Sequence, residues 1–132
     1  MAKLKIGSNA QFTSVGKSLL IVGDHCYHYS GPVNVNNTDV TLTKFTTGSG
    51  YIVAQWYPSY GSESSDNMRF DVYFNGLQVT RTTLDSRVVG SPFQWIPLLI
   101  PPLTEVQVDC TNKSSSSAIS MYSNIIGRLY DA

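Results

Sequence analysis

The most constraining feature of the chain is a repeated pattern in which short apolar or alternating segments are followed by clusters of Gly, Ser, Asn, Asp or Pro. Val, Ile, Thr, Tyr, Phe and Trp are abundant, and no window of about a dozen residues keeps the i, i+3, i+4, i+7 apolar spacing of an amphipathic helix. Short strands punctuated in this way are typical of a β-sandwich or β-barrel. We therefore predict an all-β domain with about eight strands.

The candidate strands are residues 18–22, 26–29, 40–45, 51–56, 68–74, 77–81, 105–110, 118–123 and 125–130. The segments 58–67 and 112–117 are rich in Ser and are predicted to be loops. The strongest local signal is Asn75-Gly76, because a two-residue hairpin turn needs positive φ at both positions. A regular register from that turn predicts a single inward face that carries Phe70, Val72, Phe74, Leu77 and Val79. Val106, Val108 and Cys110 are expected to point inward on their own strand.

Length and charge narrow the possibilities further. A chain of 132 residues predicts one domain over 1–132, in which residues 1–16 lack a clear strand and are expected to include a partly extended N-terminal arm. Nine basic and nine acidic side chains, scattered singly, do not form the basic surface that binds nucleic acid. Only 14% of the residues are charged, which suggests that other protein covers part of the surface.

Two further features bear on compartment. The apolar runs are too short for a signal peptide or a membrane span, so we expect a protein made in the cytosol with no membrane partner. In that compartment Cys26 and Cys110 are expected to be thiols, although a bridge between them stays open.

One polar cluster on a predicted strand, Asp24-His25-Cys26-Tyr27-His28, contains residue types that can bind metal. Strand alternation places Cys26 and His28 on one face and His25 on the other, so at most two ligands reach one site. A strand with a buried thiol and ordinary imidazoles is the simpler interpretation; a Cys26–His28 nucleophile pair is the catalytic alternative, and a small β-barrel enzyme would depend on His25 or His28. With no phosphate loop, dinucleotide motif or Gly-x-Ser-x-Gly sequence, we expect no enzyme activity, no metal and no cofactor.

The aromatic residues Trp56, Tyr57 and Tyr60 precede and enter the first predicted loop. Their rings, beside Ser and Asn side chains, could stack on a sugar, which makes a glycan a possible ligand. The alternatives are a buried Trp56 and tyrosines that cover the end of the sandwich or a subunit contact.

A resemblance emerges in the C-terminal third. The segment Pro97-Leu98-Leu99-Ile100-Pro101-Pro102-Leu103-Thr104-Glu105-Val106-Gln107-Val108, a Ser/Asn loop, and then Ile126-Gly127-Arg128-Leu129-Tyr130 resemble the close of small jelly-roll proteins encoded among tailed-phage virion genes. These include head decoration and other auxiliary capsid proteins. The resemblance implies a two-sheet antiparallel β-sandwich of the jelly-roll type that associates as a homotrimer and binds the major capsid protein in the virion.

The residues fit that role. Pro97, Pro101 and Pro102 cannot donate ladder hydrogen bonds, so that segment should be extended at a sheet edge or should cross between sheets. Gly127 should mark a bulge or a close neighbour. The leading hypothesis is a non-enzymatic capsid decoration or stabilising protein of a bacteriophage, and the second is a carbohydrate-binding, host-recognition module. The arm residues expected to contact the capsid by strand addition are Lys3, Leu4, Lys5 and Ile6.

Overall fold

Ten antiparallel strands form two sheets in the computed structural model, which describes residues 19–61, 67–85, 95–113 and 119–130. The strands are β1 (Leu20–Val22), β2 (His25–Tyr29), β3 (Val33–Val35), β4 (Val40–Thr46), β5 (Tyr51–Tyr60), β6 (Asn67–Phe74), β7 (Leu77–Asp85), β8 (Ile96–Ile100), β9 (Glu105–Asn112) and β10 (Ile119–Tyr130). No helix that is long and apolar enough to cross a membrane occurs among these described residues.

The order of the strands confirms the predicted jelly-roll sandwich. The six-stranded sheet has the order β1-β2-β10-β5-β8, with β3 also paired to β10, and the four-stranded sheet has the order β4-β9-β6-β7. Partners are nested along the chain: β2 pairs with β10, β5 with β8, β4 with β9 and β6 with β7. This folding of one long hairpin into two four-stranded layers is the arrangement of two Greek keys, and β1 and β3 add short strands to the first layer.

Several predicted strand limits are corrected by the structure. The predicted strands 118–123 and 125–130 form one strand, β10, because Asn124 keeps its place in the ladder opposite Tyr29 and Tyr57. The strand predicted to end at residue 56 continues to Tyr60 through Pro58. Proline is tolerated there because, among the described residues, β8 pairs with residues 52–56 of β5 and no described strand pairs with Pro58 on that side.

The segment with Pro97, Pro101 and Pro102 behaves as the missing backbone N–H groups of proline predict. β8 is the edge strand of the six-stranded sheet, and a turn at Pro101–Leu103 then carries the chain to β9 in the other sheet. Thr47 fixes this crossing, because its hydroxyl donates to the carbonyl of Pro101 at 2.8 Å and accepts the amide of Thr104 at 2.9 Å. The sequence pattern predicts an extended segment here but not a strand, and it does not predict β3.

The hairpin between β6 and β7 confirms the turn but corrects the register. Asn75 and Gly76 both have positive φ, at 52° and 80°. Val72, however, pairs with Thr80 and not with Val79, because a bulge shifts the register between Val72 and Tyr73. Val79 is therefore 45% exposed and lies outside the core, whereas Leu77 keeps the predicted pairing with Phe74 and is 72% exposed beside the turn. Such a bulge is common in an edge strand such as β7.

The core lies between the two sheets and is built from the inward residues of every strand. Trp56 of the six-stranded sheet packs edge-on against Phe70 of the four-stranded sheet, with ring centroids 6.1 Å apart. Val106, Val108 and Cys110 are buried as predicted. Burial of each large apolar side chain contributes about 1.5–3 kcal/mol, so these inward rows hold the two layers together.

Gly127 marks a close approach of β10 to β5 in the six-stranded sheet. A Cβ atom at this position would lie 2.6 Å from the carbonyl oxygen of Val53 and 2.8 Å from Cα of Ala54. The backbone of β5 therefore occupies the space that any side chain at residue 127 would need. The sequence prediction of a close neighbour at Gly127 is confirmed.

We expect Gly127→Ala to destabilise the fold by about 1–3 kcal/mol, because β10 and β5 must separate to accept the methyl group. Urea denaturation measures the loss. Gly48→Ala is the matched control, since a Cβ at Gly48 meets nothing within 4 Å. Equal stability of the Gly127 and Gly48 variants would contradict the close approach.

Candidate functional site

The polar cluster of the sequence lies on β2 and divides between its two faces. Cys26 and His28 point inward and are buried, whereas His25 and Tyr27 face outward. His25 lies 3.5 Å from the carboxylate of Asp24. The predicted alternation is therefore correct. Within the described residues, no group of three His, Cys, Asp or Glu side chains is arranged to hold a metal ion.

His28 belongs to a buried hydrogen-bond network that joins the two sheets. Thr43 Oγ1 of β4 donates to Ser123 Oγ of β10 at 2.8 Å, and Trp56 Nε1 donates to the same oxygen at 3.0 Å. Thr43 Oγ1 also lies 2.8 Å from Nε2 of His28. The hydroxyl of Thr43 therefore links the imidazole of His28 to Ser123. The network thus fixes the register between layers in a region where all four side chains are buried.

The two cysteines are separate, buried thiols. Burial raises the pKa of each from the ordinary 9.0 to about 12, and the nearby Asp109 and Asp39 add to the effect at Cys110. A thiolate is the reactive form of cysteine, so both side chains are inert at neutral pH. Each fills space in the core as a small apolar residue.

The three aromatic residues singled out in the sequence do not converge. Trp56 is fully buried, so its ring is not accessible to a ligand. Tyr60 faces inward and packs against the core, while Tyr57 faces outward on the opposite side of β5. The ring of Tyr57 lies 4.9 Å from that of Trp95, centroid to centroid. Trp95 was not singled out in the sequence, because only the pairing of β5 with β8 brings it to Tyr57.

The outer face of the six-stranded sheet carries an exposed apolar patch, formed by Tyr51, Val53, Leu99 and Tyr130. Tyr51 pairs with Tyr130 across β5 and β10, and their rings stack with centroids 5.4 Å apart. Val53 pairs with Leu99 across β5 and β8. The exposed fractions are 37% for Tyr51, 50% for Val53, 64% for Leu99 and 43% for Tyr130. The apolar patch is therefore continuous over three strands at one end of the sheet.

Beside the apolar patch, a groove of about 670 Å³ opens on the same outer face. Tyr27 and Tyr29 of β2 line one side, and Gln55 and Trp95 line the other. Gly127 forms part of the lining on β10, the strand between the two sides. We call this feature the aromatic groove.

The outer face of the four-stranded sheet is different, because charged groups there satisfy one another. Arg81 donates to Asp71 with Nε at 2.6 Å, and this hydrogen bond raises the pKa of the guanidinium. Arg69 Nε lies 3.3 Å from the same carboxylate, close enough for an ion pair but poorly aligned for a hydrogen bond. Asp71 is only 4% exposed beneath these two side chains.

Neighbouring polar groups extend this ionic face. Asp109 accepts hydrogen bonds from Thr41 at 2.7 Å and from Gln107 at 2.9 Å, and Thr111 donates to Asp39. Burial first, and then the carboxylates of Asp71, Asp109 and Asp39, raise the pKa of Tyr73 on the same face. The carboxylates are thus largely occupied by partners within the chain.

The arm residues Lys3, Leu4, Lys5 and Ile6 lie outside the described residues, and their capsid contacts stay a prediction.

Comparison with known proteins identifies no family for the chain. No protein-family model matches the chain, and no curated protein sequence is significantly similar to it. Solved structures are similar to it, among them the insecticidal delta-endotoxin Cry8Ea1 of Bacillus thuringiensis, with 14% identity, a TM-score of 0.47, and coverage of 76% of this chain and 20% of the toxin. The VP2 subviral particle of infectious bursal disease virus has 11% identity, a TM-score of 0.47, and coverage of 91% and 37%.

Dimeric latent PorU from Porphyromonas gingivalis has 13% identity, a TM-score of 0.41, and coverage of 92% of this chain and 14% of PorU. The chain therefore spans well under half of each of these three proteins.

We expect Ser123→Ala to destabilise the protein by about 1–3 kcal/mol, because the buried donors of Trp56 and Thr43 both lose their acceptor. Urea denaturation followed by circular dichroism measures the change. Ser120→Ala is the control on the same strand, since Ser120 makes only a 3.4 Å contact with Asn34 at the surface. An equal effect of both variants would refute the stabilising role of the network.

We expect both thiols to resist alkylation in the folded protein at pH 8. A pKa raised by about three units lowers the thiolate fraction about a thousandfold relative to an ordinary cysteine. The pKa of each thiol is higher in the folded protein than in the unfolded chain, so burial of the neutral thiols stabilises the fold below pH 9.0. This stabilisation is lost as the pH rises toward about 12. Mass spectrometry after iodoacetamide treatment, with and without urea, is the measurement; rapid labelling without urea would contradict the assignment.

Proposed function

We propose that the protein is a non-enzymatic structural protein of a bacteriophage virion, a capsid decoration or stabilising protein that forms homotrimers and binds the major capsid protein. The resemblance that suggests this role rests on residues 97–108 and 126–130, which form β8, the crossing turn, the first half of β9 and the end of β10. These elements supply Leu99 and Tyr130 to the apolar patch. The residues of the resemblance therefore overlap with the candidate contact surface, while Tyr51 and Val53 of β5 complete the patch.

The observation that carries the proposal is the exposed apolar patch. Four apolar side chains lie side by side on one sheet and are between 37% and 64% exposed: Tyr51, Val53, Leu99 and Tyr130. Contiguous apolar surface of this kind costs free energy in water and is typical of protein–protein contact sites. Association that covers the apolar patch would recover that free energy.

The ionic face supports the choice of the patch as the contact surface. Asp71, Asp109 and Asp39 on that face already have partners within the chain, so a neighbouring molecule would have to compete with existing bonds. Desolvating paired charges is also costly. The apolar patch carries no such penalty, and it is the better surface for close contact with another subunit.

A non-catalytic role agrees with the state of the candidate nucleophile. Cys26 is buried, and its pKa is raised to about 12, which is opposite to the lowered pKa that activates a cysteine. The hydroxyl and imidazole groups of the interior serve the hydrogen-bond network between the sheets. In this proposal the protein acts by binding: trimers bury the apolar patch and fasten to neighbouring capsid subunits, which raises the cost of separating them.

We expect the wild-type protein to be a trimer at tens of micromolar, a concentration that suits micromolar association (about 8 kcal/mol). We expect Leu99→Lys to shift the protein toward monomer. The charged side chain would have to be desolvated in the contact. Light scattering coupled to size-exclusion chromatography measures the mass. Leu77→Lys is the matched control, because Leu77 is equally exposed but lies on the edge strand of the other sheet.

A monomeric wild type would contradict self-association, and equal behaviour of the two lysine variants would contradict the apolar patch as its site. Electron microscopy of the parent particle tests the capsid contact directly. Absence of the protein from the shell would overturn the decoration role while leaving the oligomer result intact.

A further inference from the structure

We propose that the aromatic groove on the outer face of the six-stranded sheet is a binding site for a neutral oligosaccharide. The site differs from the cluster expected from the sequence, because Trp56 is buried and Tyr60 faces the core. It rests on the groove itself and does not depend on the proposed function in the virion.

The floor of the groove is largely backbone at the point where three adjacent strands turn their side chains to the core. Gly127 of β10 pairs with Cys26 of β2 and with Ala54 of β5, and all three contribute atoms to the lining. Cys26 and Ala54 are buried on the inner face and Gly127 shares their register, so none of the three places a side chain in the groove. The volume, about 670 Å³, lies in the range of pockets that hold small molecules.

Aromatic side chains flank this floor on both sides. Tyr27 and Tyr29 lie on β2 with ring centroids 5.4 Å apart. On the opposite side, Trp95 lines the groove and packs against Tyr57, which supports the ring from outside the lining. Trp95 is 42% exposed, although its size favours burial. A pyranose ring has faces made of C–H groups, which pack on flat aromatic rings, so two aromatic walls suit consecutive sugar units.

Polar groups beside the rings supply hydrogen bonds without a net charge. Gln55, His25 and Arg128 line the groove. Arg128 donates to Asp24 at 3.1 Å, so its charge is balanced within the chain. Carboxamide, imidazole and paired guanidinium groups can bond sugar hydroxyls, whereas a fully charged ligand would find no unbalanced counter-charge here. This balance favours a neutral glycan.

A peptide fits the groove less well than a sugar does. At residues 124–128 the backbone of β10 is paired with β2 on one side and with β5 on the other. No strand can therefore be added along the groove floor, and a peptide would lose the main-chain hydrogen bonds that give strand addition its affinity. Ring stacking together with scattered polar contacts is the chemistry that the groove offers.

The test uses the full chain and a panel of neutral cello-, malto-, xylo- and manno-oligosaccharides at up to about 10 mM, a concentration that detects weak, millimolar binding. Isothermal titration calorimetry is the readout for the wild type and every variant, because Trp95→Ala would remove the exposed indole that fluorescence follows. We expect saturable binding to at least one series, weakened about tenfold or more by Trp95→Ala and by Gln55→Ala. Tyr73→Ala is the control, since Tyr73 lies on the outer face of the other sheet.

Two results would overturn the proposal: no saturable binding to any sugar of the panel, or binding that both groove variants retain. Loss of the oligomer in Trp95→Ala or Gln55→Ala, without sugar binding by the wild type, would show that a second copy of the chain covers the groove and would also overturn it. The mass of Leu99→Lys is independent of these outcomes, so a failed glycan site leaves the decoration proposal standing.

Discussion

The antiparallel ladder between β10 and β5 is the interaction on which the other features depend. It runs without interruption from the pair Met121 and Tyr60 to the pair Tyr130 and Tyr51. Along this ladder, β10 places Ser123 in the buried network, Gly127 in the groove floor and Tyr130 in the apolar patch. A slip of one residue would send the inward residues to the surface, so a single register determines core, groove and patch together.

The buried network explains how this register is fixed between the two layers. Apolar packing tolerates exchange of similar side chains, whereas Ser123, Thr43, His28 and the indole of Trp56 need their partners at defined positions. A sandwich with a displaced layer would leave those polar groups buried without bonds, at a cost of about 1–3 kcal/mol for each group. The network therefore gives specificity to a core that is otherwise held by nondirectional contacts.

Much of the fold could be predicted because strand alternation and turn chemistry are local. Asn75-Gly76 indicates the hairpin, Pro97 and Pro101 indicate an extended edge segment, and Gly127 indicates a close neighbour. Each of these signals depends only on the backbone properties of the residue itself. The bulge that exposes Val79 was not predictable in this way, since the edge position of β7 comes from the pairing of the whole sheet. For the same reason β3, a strand of three residues, gave no signal above its flanking loops.

The candidate sites were less predictable than the fold, because they depend on contacts between distant segments. Trp56 and Tyr57 are adjacent in sequence, yet alternation sends one into the core and the other to the surface. Trp95 reaches Tyr57 only through the pairing of β5 with β8, and the sequence between those strands gives no hint of it. A sequence pattern can identify aromatic residues near a loop, but the pairing of strands in the sheet determines which rings share a surface.

The basic and acidic side chains are distributed differently between the outer faces of the two sheets. Nine basic and nine acidic residues could be spread evenly over the surface, but several of the carboxylates and guanidinium groups are concentrated on the ionic face, where Asp71 is covered by Arg69 and Arg81. On the opposite sheet the described ion pairs lie beside the groove, with Asp24 against Arg128 and His25. Among the described residues, the ion pairs of the six-stranded sheet lie at the groove, so the apolar patch at the other end of that face carries no charge. A surface of that kind can lie against a second copy of itself without electrostatic repulsion, and low charge density thereby becomes a property of one face as well as of the whole chain.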